Sequence, residues 1–147
     1  MKRILVCLDN SPRGPVVASY AVDLAKALGA RLSALRVVSI APELSRIVSI
    51  EARADLIELM TNRAKKELSE LLANAPPELI EGFYVHIGTP WDVICNEAVS
   101  LGCDMIVLGS HGYSGIDRIV GTTAAKVVNH SDRSVLVVRE TPPHKNN

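Results

Sequence analysis

Aromatic side chains are scarce in this sequence: one Trp, one Phe and three Tyr among 147 residues. A platform that stacks bases on aromatic rings is therefore not expected. Net charge is lacking too, because 16 Lys and Arg balance 16 Asp and Glu. That argues against a broad attraction to nucleic acid or to an anionic membrane. There are only three cysteines, Cys7, Cys95 and Cys103. Their odd number and the absence of a CxxC pair point to reduced thiols in a cytoplasmic setting, acting as small apolar residues rather than redox groups. No apolar run approaches the roughly 18 residues that a membrane span requires. The start, Met1-Lys2-Arg3 followed by Ile4–Leu8, has the charge of a secretory leader. Its apolar stretch is too short and ends at Asp9-Asn10, so the expectation is a chain without one.

Two familiar nucleotide signatures are also missing. There is no GxxxxGK[ST], and so no lysine placed to clamp a γ-phosphate, and no GxGxxG dinucleotide fingerprint. His86-Ile87-Gly88-Thr89 resembles the HIGH signature of nucleotidyl transferases. It follows the wrong strand and lacks the final His, and is read as coincidence.

What is present is a globular composition, 48% hydrophobic, in a length that suits one domain with a real core. The expectation is a single domain over residues 1–140 and a frayed tail over 141–147. Short apolar runs alternate with segments of helical period. Ile4–Leu8, Leu32–Val38, Met105–Leu108 and Ser134–Val138 read as strands, and the first and third are apolar throughout, as strands covered on both faces should be. Residues 79–87 alternate more and include Gly82, which suits an edge strand. Helices are expected over 15–28, stopped by Gly29, over 49–74, from Pro90 behind Thr89 as N-cap, and from near Thr122 to His130. Residues 42–48 read as a loop opened by Pro42. The order β-α-β-α-β-α-β-α-β means an α/β fold, a parallel sheet with helices on both faces.

In such sheets ligands sit beyond the carboxyl ends of the strands, where the strand order reverses. Of the turns that this rule selects, two carry suitable chemistry: Asp9-Asn10-Ser11 and Gly109-Ser110-His111-Gly112. Gly109 and Gly112 let the backbone turn sharply and approach a ligand. Gly121-Thr122-Thr123 sits at a helix start, where free N–H groups and the helix dipole favour an anion and the hydroxyls add hydrogen bonds. A polyphosphate is the natural guest of the segment Gly109–Thr123; an N-capped helix after a flexible loop is the alternative. Asp9 meets a ligand, caps the next helix or forms an Asx-turn. Arg13 and Arg118 read as surface charge within reach of phosphate, His111 as a solvated loop residue, and Trp91 as core packing. Ser11 has no His base in its sequence context, so nucleophilic catalysis is not expected.

Ile4-Leu-Val-Cys-Leu-Asp-Asn-Ser11, Gly88-Thr-Pro90, Asp104-Met-Ile-Val-Leu-Gly-Ser-His-Gly112, Gly121-Thr122 and Ser134-Val-Leu-Val-Val-Arg139 together resemble the universal stress protein family over nearly the whole chain. The resemblance implies a Rossmann-like three-layer sandwich around a five-stranded parallel sheet of order 3-2-1-4-5. It implies ATP, with AMP and ADP as alternatives, bound through G-x2-G-x9-G-[ST]. Carried over, Gly109, Gly112, Gly121 and Thr122 would hold the phosphates, with Ser110, His111 and Thr123 beside them. Asp9 would face ribose or adenine, and Val38 or Val37 would meet adenine through backbone groups. Here the spacing between Gly112 and Gly121 is eight residues rather than nine, so the loop follows a different path. Magnesium or manganese would arrive with the phosphates, since no dedicated metal site is visible. The resemblance also implies a homodimer through Val135–Val138, and an apolar edge strand invites such pairing. The function expected is a nucleotide-responsive stress or signalling module. A slow ATPase and a dimeric interaction module without nucleotide are the alternatives. No catalytic residue is assigned.

Overall fold

The structure, a computed structural model, describes residues 1–110 and 121–139; the expected tail 141–147 lies outside the described residues. Its first strand, β1 (Arg3–Cys7), buries Ile4, Leu5 and Val6 completely. Ile4 and Val6 pack into one apolar layer and Leu5 into another on the opposite face. A strand covered on both sides needs no polar alternation, which explains the unbroken apolar run. Helix α1 (Gly14–Leu28) carries Pro15 in its first turn and ends on Gly29. At φ 61° Gly29 is left-handed, which closes the helix on the Ala25 and Lys26 carbonyls.

Strand β2 (Arg31–Val38) follows. The expected loop over 42–48 contains a short helix instead, α2 (Pro42–Ile47). Pro42 is preset for a first helical turn and Glu43 complements its positive end, but six residues are too few to display a helical period. Helix α3 (Ile50–Leu71) starts where the Ser49 hydroxyl accepts the Ala52 N–H at 3.2 Å. A 3-10 turn over Pro77–Leu79 leads into β3 (Ile80–Ile87). Its register slips between Leu32 and Ser33, which face Ile80 and Gly82. A side chain at Gly82 would meet the Tyr84 hydroxyl at 2.9 Å, so glycine suits this irregularity.

Helix α4 (Pro90–Ser100) begins behind Thr89, which takes the N-cap position without its side chain making the capping bond. Then come β4 (Met105–Gly109), α5 (Thr122–His130) and β5 (Ser134–Val138). The sheet is parallel throughout, with order β3-β2-β1-β4-β5, as expected. One core, under α1 and α3, centres on Ile4, Val6, Leu32, Leu68 and Val107. The other, under α4 and α5, centres on Leu5, Leu35, Ile106 and Val127. The chain leaves β1 toward β2 on one side while β4 lies on the other, so the order reverses between β1 and β4 and a crevice opens at their carboxyl ends. No helix among the described residues is long and apolar enough to cross a membrane.

Candidate functional site

A cavity of about 770 Å³ occupies that crevice, within the size range of small-molecule sites. Seven elements and the turns between them converge on it. β1 contributes Cys7 and then the turn Leu8–Ser11; β2 contributes Arg36, Val37 and Val38; β4 contributes Leu108 and Gly109, followed by Ser110. Met60, Arg63, Ala64 and Glu67 of α3 form one wall, and the start of α5, Gly121–Ala124, forms another. Pro90 and Ile94 of α4, Val17 of α1 and Ser39 after β2 also line it, with Arg13 at the start of α1. Asp9, Val38, Gly109, Ser110, Gly121, Thr122 and Thr123, singled out from the sequence, thus meet in one cavity, together with Val37 and Arg13. His111, Gly112 and Arg118 lie outside the described residues. Trp91 does not line the cavity. Its ring lies 4.7 Å from that of His130, with the Lys126 ammonium 6.0 Å from its centre.

The two ends of the glycine-rich segment are tied together. The Gly121 N–H donates to the Ser110 carbonyl, and the Ser110 N–H donates to the Val138 carbonyl at 2.9 Å. Ser110 is buried. Gly121 is the N-cap of α5, and no side chain caps this helix. Its first amides lack intrahelical acceptors, and they sit where the cavity ends. On the opposite side, the Asp9 carboxylate accepts the Ser11 N–H at 3.1 Å, an Asx-turn. The turn and the cavity position coexist at Asp9.

The sequence reading did not single out Arg36. It is a buried charge, 6% exposed, on a strand whose preceding residues are buried and mostly apolar. Its Nε donates to the Leu8 carbonyl at 2.9 Å and its Nη2 to the Asp9 carbonyl at 3.1 Å, while Nη1 pairs with Glu67. Arg63 holds the other Glu67 oxygen at 3.2 Å. Burial pushes the Glu67 carboxyl upward, but the hydrogen bonds and charges of Arg36 and Arg63 outweigh it and hold it below its ordinary value. The available signal was one arginine inside the run Leu32–Val38. Burial, with smaller contributions from Cys103 and Cys95, raises the Cys7 thiol. Burial, reinforced by the Glu81 charge, pushes Cys103 up to about 11. Both thiols are thus poor thiolates near neutral pH.

The sequence model of the universal stress protein family matches residues 1–139. The chain belongs to the universal stress protein family. Universal stress protein YxiE of Bacillus subtilis is 33% identical over 148 residues, covering 93% of this chain and 98% of that one. Universal stress protein A homolog 1 of Coxiella burnetii is 29% identical over 143 residues, covering 93% and 95%. Among solved structures, the universal stress protein UspA from Lactobacillus plantarum is similar with a TM-score of 0.71 and 28% identity, over 94% of this chain and 97% of that one.

Proposed function

We propose that this universal stress protein binds an adenine nucleotide, ATP or its AMP and ADP relatives, in the cavity between β1 and β4, and acts as a nucleotide-responsive stress or signalling module. One observation carries the reading: the amide-rich start of α5 and the polar turn after β1 line the same cavity at the reversal point of the sheet. The phosphates would lie against the first amides of α5, Ser110, Thr122 and Thr123, where dipole and free N–H groups favour negative charge. The base would lie along Val37 and Val38, with Asp9 toward the nucleoside. A universal stress protein of the same fold, at 22% identity and a TM-score of 0.65, was solved in complex with cAMP. Another, from Archaeoglobus fulgidus, at 19% and 0.59, was solved in complex with dAMP. They support the reading at the level of what this fold accommodates. Magnesium or manganese, if carried in, would take phosphate and water as most of its ligands.

Holding suits the cleft better than cleaving. Asp9 and Glu67 are the carboxylates lining it among the described residues. Glu67 is locked between two arginines that lower its basicity, and Asp9 is assigned above to the nucleoside rather than to the phosphates, so in this reading neither is placed to activate water at a phosphate. The outer edge of β5, at the end of the sheet, is the proposed surface for a homodimer.

The reading is tested by mass spectrometry of nucleotide extracted from freshly purified protein and by calorimetric titration with ATP and AMP. Gly121→Val is the informative variant. At φ −58° and ψ 158° the backbone there is open to any residue, so this glycine serves close approach rather than an unusual conformation. The expected outcome is a folded protein by circular dichroism, with a melting temperature lowered only by the poorer N-cap and ATP affinity reduced at least about tenfold, the size of one lost good contact. ATP binding equal to the parent's would place the phosphates elsewhere.

A further inference from the structure

We propose that Arg36 is a positioning residue for nucleotide recognition: from the β2 wall of the cavity it fixes the β1–α1 turn and, through that turn, the Asp9 carboxylate. The inference rests on the nucleotide reading above and adds a residue that acts through another. The strand β1 ends at Cys7, so the carbonyls of Leu8 and Asp9 run on past its end. The Arg36 guanidinium takes them up, donating to Leu8 at 2.9 Å and to Asp9 at 3.1 Å. Two consecutive carbonyls match a planar fork, whereas an ammonium group offers no such fixed geometry. On its other face, the Asp9 side chain is anchored through one carboxylate oxygen by the Ser11 N–H. The turn is thus held at its main chain by Arg36 and at its side chain by the Ser11 N–H.

The charge of Arg36 is itself positioned. Burial of an unpaired guanidinium is costly, and Glu67 supplies the counter-charge from α3, with Arg63 on its second oxygen. Arg63–Glu67–Arg36 therefore links the α3 wall of the cavity to the turn that carries Asp9. A buried ion pair could serve folding alone, and the two roles differ in one respect. A positioning residue loses its effect on the ligand when the group it positions is removed; a purely structural one does not.

The experiment is a double-mutant cycle read by calorimetric titration of ATP into the parent, Arg36→Lys, Asp9→Ala and the double variant, each checked for folding by circular dichroism. Arg36→Lys is expected to weaken ATP binding about tenfold in the parent and less than about twofold once Asp9 is alanine. Glu67→Gln, at a partly exposed position, removes the charge that orients Arg36 and is expected to show the same Asp9-dependent loss at smaller size. It decides the matter should Arg36→Lys not fold. Parental affinity in both Arg36→Lys and Glu67→Gln overturns the inference, as does a loss that persists undiminished in the Asp9→Ala background. A parent that binds no adenine nucleotide overturns the nucleotide reading itself, and this inference with it.

Discussion

Individual polar side chains in this protein stabilise places where regular structure stops. Asp104 stands before β4, and its Oδ2 accepts the N–H groups of Lys2 at 2.8 Å and Arg3 at 2.9 Å. These two bonds, in that order of importance, hold its carboxyl below its ordinary value. A depressed carboxyl pKa has a definite sign in stability. The contribution is complete above the unfolded value, near 4, and is lost as pH falls through the lower folded value. Urea denaturation at a series of pH values is therefore expected to show a steeper acid decline for the parent than for Asp104→Asn, with the curves converging at the acid end. Parallel curves across that window would mean that the Lys2 and Arg3 bonds do not persist in solution. Arg36 follows the same logic at the end of β1, where the carbonyls it satisfies lie 28 and 27 positions away in the sequence.

Secondary-structure elements are bounded here by local chemistry, and that is the part most open to reading in advance. At Gly29 the left-handed turn at φ 61° leaves a would-be Cβ with nothing within 4 Å. The penalty for Gly29→Ala is thus backbone strain alone, about 1 kcal/mol, measurable as a lower urea midpoint with an unchanged slope. No measurable change would show that α1 ends differently in solution. Gly29 was legible as a stop because the glycine itself causes the geometry. The same holds for Ser134–Val138, whose apolar run coincides with β5, and for Thr122–His130, which coincides with α5. The helix α2 was not legible, since its cause is a first-turn proline and glutamate rather than a period. Nor was the Arg36–Glu67 contact, because which wall of a cleft a side chain reaches depends on how β2 and α3 pack. Gly109, Ser110, Gly121 and Asp9 could be placed in one site from sequence because strand ends in a doubly wound sheet must converge there. The guanidinium behind Asp9 had no comparable rule.

At the scale of the whole molecule, the sheet has two edges, β3 and β5, and they differ. β3 is longer and bulged, ending in the exposed His86 and Ile87, and His86 meets Glu97 of α4 at 3.0 Å. β5 is regular along Met105–Gly109, and four of its five residues are apolar. Irregularity discourages edge pairing, and a regular apolar edge favours it. The pairing geometry shows which groups a second copy would use. The Ser110 N–H reaches the Val138 carbonyl, so the main chain of Val138 faces β4. In a parallel ladder alternate residues face alternate sides. Leu136 therefore also faces β4, and the N–H groups of Val135 and Val137 face outward. Val137→Pro deletes an outward donor without removing a β4–β5 hydrogen bond. Val137→Lys instead places a charge on a half-buried side chain that packs toward the α4–α5 core, and so tests packing as well as pairing. For the proline variant, light scattering is expected to give half the parental mass if the parent is a dimer joined at this edge. A dimeric mass retained by Val137→Pro would exclude the β5 edge as the interface.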